Sequence, residues 1–141
     1  MALKELPGST PLDEADKNGL ILSYLTTREE LNAAEFENMN SAYLKYLARK
    51  PLAKKAPFTA IWLKKLHFEM FGKVWKWAGE YRTSDIMPGV PVYQIAAEML
   101  NGERDIKTWR THQHDPFECS VKIHHRLVWM MLAIFLKHPL D

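Results

Sequence analysis

Asp115-Pro116-Phe117-Glu118 opens the strongest helix signal in this chain, and the residues from there to the C-terminus constrain the fold more than any other segment. Aspartate is a preferred N-cap. Proline suits the first helical position, where its missing N–H has no partner anyway, and an acidic residue three positions after the cap completes a capping box. The helix then carries Val121, Val128, Leu132 and Phe135 on its expected apolar side and enters Leu127–Leu136, a run apolar on every face. A helix of that kind needs a surrounding bundle to bury it. The run is about half of the ~20 residues that a bilayer span requires, so the expectation is burial among helices and no membrane crossing.

At 141 residues the chain is long enough for one core. Its hydrophobic content of 47% and charged content of 26% are those of a soluble globular protein. A formal charge of +2 argues for no nucleic-acid partner, and the densest basic stretch, Arg49 to Lys55, is interrupted by Pro51 and reads as a solvated linker. Cys119, the single cysteine, permits no intrachain disulfide and fits a reducing compartment. It reads as a small, partly buried side chain rather than a nucleophile. The first residues, MALKELPGSTPLDEAD, contain no apolar core of a secretory signal, so a cytoplasmic location is expected.

Along the chain, residues 1–26 hold Pro7, Gly8, Pro11 and Gly19 without sustained period and read as an extended arm with an apolar touch at Leu20 to Leu25. Thr27 with Glu30 makes a capping box, and Leu31, Ala34, Phe36, Met39, Tyr43 and Leu47 give a helical stripe. Pro51 and Pro57 bracket a linker. A second helix starts near Thr59, with Leu63, Leu66, Met70 and Phe71 facing the core and Gly72 as the C-terminal cap. The aromatic segment Val74 to Gly79 wedges between helices. Residues 81 to 95, rich in Thr, Ile, Val and Tyr around Pro88-Gly89, read as a short β-hairpin or flap. Ile95, Met99, Ile106 and Trp109 mark a further helix, which Gly102 weakens. The class is all-α with one small β element.

Four segments taken in order resemble the Fic family: GSTPLDEADKNGLI near the start, LTTREELNAAEFENM at 25 to 39, LKKLHFEMFGKVWKWAGEYRTSD at 63 to 85, and VKIHHRLVW at 121 to 129. They are most similar to the branch called mobile mystery protein B, and the resemblance runs from about Gly8 to Trp129. It implies an all-α Fic-like helical domain with a short β-hairpin flap, over residues 27–141 and incomplete at its C-terminal part. Family members look like enzymes that move AMP from ATP to a hydroxyl of a target protein with Mg²⁺. Their motif, HPF followed by GNGR, supplies a histidine as general base and a glycine-rich loop whose N–H groups hold the phosphates.

Carried over residue by residue, the resemblance assigns Tyr81, Arg82, Thr83, Ser84 and Asp85 to the flap opening and Gly89, Val90, Tyr93, Gln94 and Ile95 to its far side, where a target protein of unknown identity would be bound. His124, His125 and Arg126 belong to the helix leading into the motif. The family histidine falls at Met131, with Met130 in place of isoleucine, and no Gly-Asn-Gly-Arg follows. The expected consequence is an incomplete catalytic loop, no productive binding of ATP and Mg²⁺, and no transfer by this chain.

His138-Pro139-Leu140-Asp141 imitates HPFxD seven residues too late, so His138 is a candidate base in an atypical enzyme but reads as a decoy. His114-Asp115-Pro116-Phe117 is explained as the helix cap. His124 and His125 point about 100° apart on a helix, so one is expected inside and one at the surface. His112, His114 and His124 lack the further donors of a zinc site, and no metal ligand set is assigned. Thr26 and Glu30 have the spacing of an inhibitory motif known in the family, but Leu31 follows where Gly or Asn belongs, and the capping box explains both residues. Two further expectations stand beside the inactive Fic-like reading: a non-catalytic helical binding module using the flap, and self-association through the apolar C-terminal end.

Overall fold

A computed structural model describes residues 11–48, 56–83, 90–112 and 114–130. Among them, five α-helices come in order: α1 Glu14–Gly19, α2 Arg28–Leu47, α3 Ala60–Phe71, α4 Ile95–His112 and α5 Pro116–Met130, with one 3-10 turn, Val92–Gln94, running into α4. Among the described residues the β structure is two isolated bridges, Pro11 with Thr27 and Leu20 with Trp75. The chain divides into two compact units. One holds the described residues up to Ala56 together with Lys65–Gly79; the other holds Pro57–Lys64 and the described residues from Glu80.

In the first unit, the segment expected as an extended arm is folded from residue 11 onward. Asp13 caps α1 by accepting from the Asp16 N–H at 2.7 Å, and Leu12, Leu20 and Leu25 are buried. The apolar residues around Gly19 gain more by packing under the aromatic turn than by staying extended, because the Trp75 and Trp77 rings lie directly over that glycine. The capping box at α2 forms as expected: Thr27 Oγ1 accepts from the Glu30 N–H, and the Glu30 carboxylate accepts from the N–H groups of Thr26 and Thr27. The Thr26 bond, then the Thr27 bond, hold the Glu30 carboxyl below its ordinary range.

The buried face of α2 differs from the expected stripe. Phe36 and Tyr43 are exposed, while Leu31, Asn38 and Ala42 are buried. The face is polar in the middle because it serves the end of α3. Asn38 donates to the Glu69 carbonyl at 2.9 Å and accepts from the Lys73 N–H at 3.0 Å, satisfying backbone groups that a helix terminus leaves open. Glu35 accepts from the Trp75 indole at 2.7 Å. Gly72 follows α3 without a left-handed conformation; it is needed because a Cβ there would meet the Phe68 carbonyl oxygen. Gly79 is the left-handed residue, at φ 80°, and its N–H donates to buried His67 Nδ1 at 2.8 Å.

In the second unit, Leu63, Ile95, Met99, Ile106 and Met130 form the core, with Trp62, Trp109, Ile123 and Leu127 packed around them. The expected N-cap of α5 holds: Asp115 Oδ1 accepts from the Phe117 N–H at 2.9 Å. Glu118 pairs with Lys122 at 3.4 Å. The buried side of α5 is rotated from the expected one. Val121 and Val128 are exposed, and Ile123, Leu127 and Met130 face α4; Leu132 and Phe135 lie outside the described residues.

Gly102 explains the rotation. The end of the Met130 side chain sits where a Cβ on residue 102 would be. The glycine that weakens the helix in isolation is what lets α5 approach. Alanine there would ordinarily gain about 1 kcal/mol of helix propensity. Met130 is flexible, but it is enclosed in the core, and overpacking costs roughly 1–3 kcal/mol. Gly102→Ala is therefore expected to lower the urea midpoint of unfolding. A raised midpoint would mean that Met130 relocates freely.

Candidate functional site

The described residues of the segment expected as a flap, and the helix that follows it, belong to the second unit. Arg82 is 2% exposed, and its guanidinium donates to the Val90 carbonyl, tying together the two ends of the segment between them. Burial of so strongly hydrated a group requires hydrogen-bonded partners, which makes the tie structural. This corrects the expectation that Arg82 meets a target. Tyr81 is half-buried with Lys64 Nζ 4.6 Å from its ring centre, and burial raises its phenol above the usual range. Ile95 is buried in the core at the first turn of α4 and also cannot face a partner.

The expected return strand is helical from Val92 on, since Pro91 leads directly into the 3-10 turn. Proline presets the backbone for that start and has no N–H to give to a strand ladder. Ser84, Asp85 and Gly89 lie outside the described residues. Of the remaining flap residues, Thr83, Tyr93 and Gln94 are exposed and Val90 is half-buried. Tyr93 is 82% exposed, and its hydroxyl accepts from Gln94 Nε2 at 3.1 Å. Thr83 and the Tyr93–Gln94 pair are thus the fully exposed ones among the described residues expected in the flap.

On α5, Arg126 reaches α4. Its Nη2 lies 3.4 Å from Asp105 and 3.7 Å from Glu98, two carboxylates seven residues apart on one face. His124 and His125 are both exposed, so the expected inward histidine is not inward. The inward positions are taken by Ile123, Leu127 and Met130. His138 lies outside the described residues. Among the described residues, no three His, Cys, Asp or Glu side chains come together as a metal site, and no helix is long and apolar enough to cross a membrane.

Sequence reasoning passed over His67, Asn38 and the packing role of Met130. The first two carry no motif; a polar residue in phase with Leu31 and Ala42 was the one signal for Asn38.

No family model matches this sequence, and no curated protein matches it. Among solved structures it is similar to the N-terminal Fic domain of a Bartonella effector protein (Bep), a substrate of the VirB T4SS, from Bartonella sp. AR 15-3. The TM-score is 0.59 at 20% identity, over 89% of this chain and 61% of that one. The fold is that of a Fic domain. The chain spans 61% of the length of the Bartonella domain, so at this identity the likeness extends to architecture alone.

Arg82→Ala leaves a buried carbonyl unpaired and is expected to cost about 2 kcal/mol or more by urea unfolding. Tyr93→Ala should stay within about 0.5 kcal/mol of the parent. Equal losses for the two would contradict the division into a structural tie and a contact residue.

Proposed function

We propose that this chain is a Fic-family protein of the mobile mystery protein B branch, related to the enzymes that transfer AMP from ATP to a protein hydroxyl. We further propose that these 141 residues engage a target protein at the flap without transferring AMP. The Fic-like fold supports the reading, and so do the segments MFGKVWKWAGEYRTSD and VKIHHRLVW, which stand in family order.

One observation carries the inactive part. The register of α5 through His124, His125 and Arg126 leads to Met130 and Met131, where the family pattern places isoleucine and the histidine base. A thioether is a weak acceptor and takes no proton from an attacking hydroxyl. Met130 is committed to the core against Gly102. ATP and Mg²⁺ would supply the AMP group and neutralise its phosphates. Met131 in place of the histidine and the lack of a Gly-Asn-Gly-Arg stretch to cradle phosphate support a reading without productive binding of either. No transfer step is derived for this chain.

Incubation with labelled ATP and Mg²⁺ should give no added AMP on the chain itself or on lysate proteins. Labelling that disappears in His138→Ala would replace this reading with an atypical enzyme. The apolar run from Leu127 to Leu136 also supports self-association as a second mode of contact. Light scattering at rising concentration should give a mass above that of one chain, and a monodisperse monomer throughout would remove it.

A further inference from the structure

A cleft of about 410 Å³ lies in the second unit, between the lead-in to α3 and the C-terminal half of α4. Its volume is within the range of small-molecule sites, about 300–1,000 Å³. Ile106 and Pro57 give it apolar lining, and Thr59, Glu103, Lys107 and Arg110 bring polar groups to it. The spacing of Glu103, Lys107 and Arg110 puts them on one side of α4.

The charges are unbalanced. Glu103 is already engaged: its carboxylate accepts from the Ala60 N–H at 3.0 Å and so closes the N-terminus of α3. Among the described residues, Lys107 and Arg110 form no ion pair. Thr59 Oγ1 accepts from the Trp62 N–H at 3.2 Å, which leaves its hydroxyl hydrogen available to a ligand.

Beside the cleft, Phe58 holds φ 56°, a left-handed conformation that a bulky side chain adopts only under constraint from its surroundings. That backbone sets the Phe58 ring edge-on to Trp62, at 5.1 Å, with the Arg110 guanidinium 5.4 Å from its centre. The ring thus holds the Arg110 guanidinium by a cation–π contact beside the cleft.

We infer that this cleft binds a phosphate monoester carrying a flat apolar body. Lys107, Arg110 and the Thr59 hydroxyl would meet the phosphate oxygens, while Pro57 and Ile106 receive the body. Such a site is independent of the flap and of any engagement of a target protein there.

Phenyl phosphate titrated calorimetrically into the full chain tests it, with inorganic phosphate and benzoate as comparisons. Saturable binding of phenyl phosphate is expected, tighter than that of either comparison. Replacing both cations by Lys107→Gln and Arg110→Gln should weaken it roughly tenfold or more, since charge-assisted hydrogen bonds are lost at an exposed position that does not hold the fold. Phe58→Asn, which tolerates the left-handed backbone but removes the ring beside Arg110, should weaken phenyl phosphate and inorganic phosphate alike. Absence of saturable binding, or unchanged affinity in the double variant, overturns the site. Benzoate binding as tightly as phenyl phosphate overturns the phosphate assignment.

Discussion

Met130 seated on Gly102 is the contact on which the second unit depends. It brings α5 against α4 closely enough for Met130 to join Leu63, Ile95, Met99 and Ile106 in one core, and it fixes the rotation of α5 about its own axis. With that rotation set, Ile123 and Leu127 turn inward at helical spacing and Arg126 comes within reach of Glu98 and Asp105. Phe117, Val121, His124, His125 and Val128 are turned to solvent by the same geometry. At the other end of α4, Ile95 anchors the first turn, so the backbone at Val90, tied to Arg82, leads into an element already held by the core. A buried glycine, a buried methionine and a buried arginine together position the exposed Tyr93–Gln94 pair.

The first unit is organised by polar side chains rather than by a single apolar stripe. Asn38, Glu35 and His67 each satisfy a backbone or indole N–H of the segment from Glu69 to Gly79, and none of these bonds leaves its buried partner open. Lys45 pairs with Glu69 at 2.7 Å. Burial pushes the Glu69 carboxyl up, but the hydrogen bonds from Lys45 and Tyr46 outweigh it and hold it below its ordinary range. Such bonds fix the path of the two-tryptophan turn, whose rings stack at 5.0 Å over Gly19.

The elements legible in the sequence are those with chemistry at their ends. Thr27–Glu30 and Asp115 announced the starts of α2 and α5, and Ile95, Met99 and Ile106 gave the buried face of α4. Local hydrogen bonds and period are sequence-local, so they can be read before the fold is known. What could not be read was phase where a face is shared with another element. Phe36 and Tyr43 lost the inward positions on α2 to Asn38 and Ala42, and Val121 and Val128 lost them on α5 to Ile123 and Leu127. In both cases the deciding partner, the end of α3 or Gly102, lies far along the chain. Arg82 and Ile95, expected among the residues that meet a target, are buried, because sequence alone does not separate the root of such a segment from its surface. The cleft beside Phe58 left no sequence signal beyond the spacing of Glu103, Lys107 and Arg110.

The most direct test of this architecture is the proton distance between the Met130 ε-methyl group and the Gly102 α-protons, read as a nuclear Overhauser effect in the intact chain. The structure requires a strong cross-peak, with the Met130 methyl shifted from its random-coil position by the surrounding core. A random-coil Met130 methyl with no cross-peak to Gly102 would contradict the packing of α5 on α4, and with it the placement of every residue assigned to that helix.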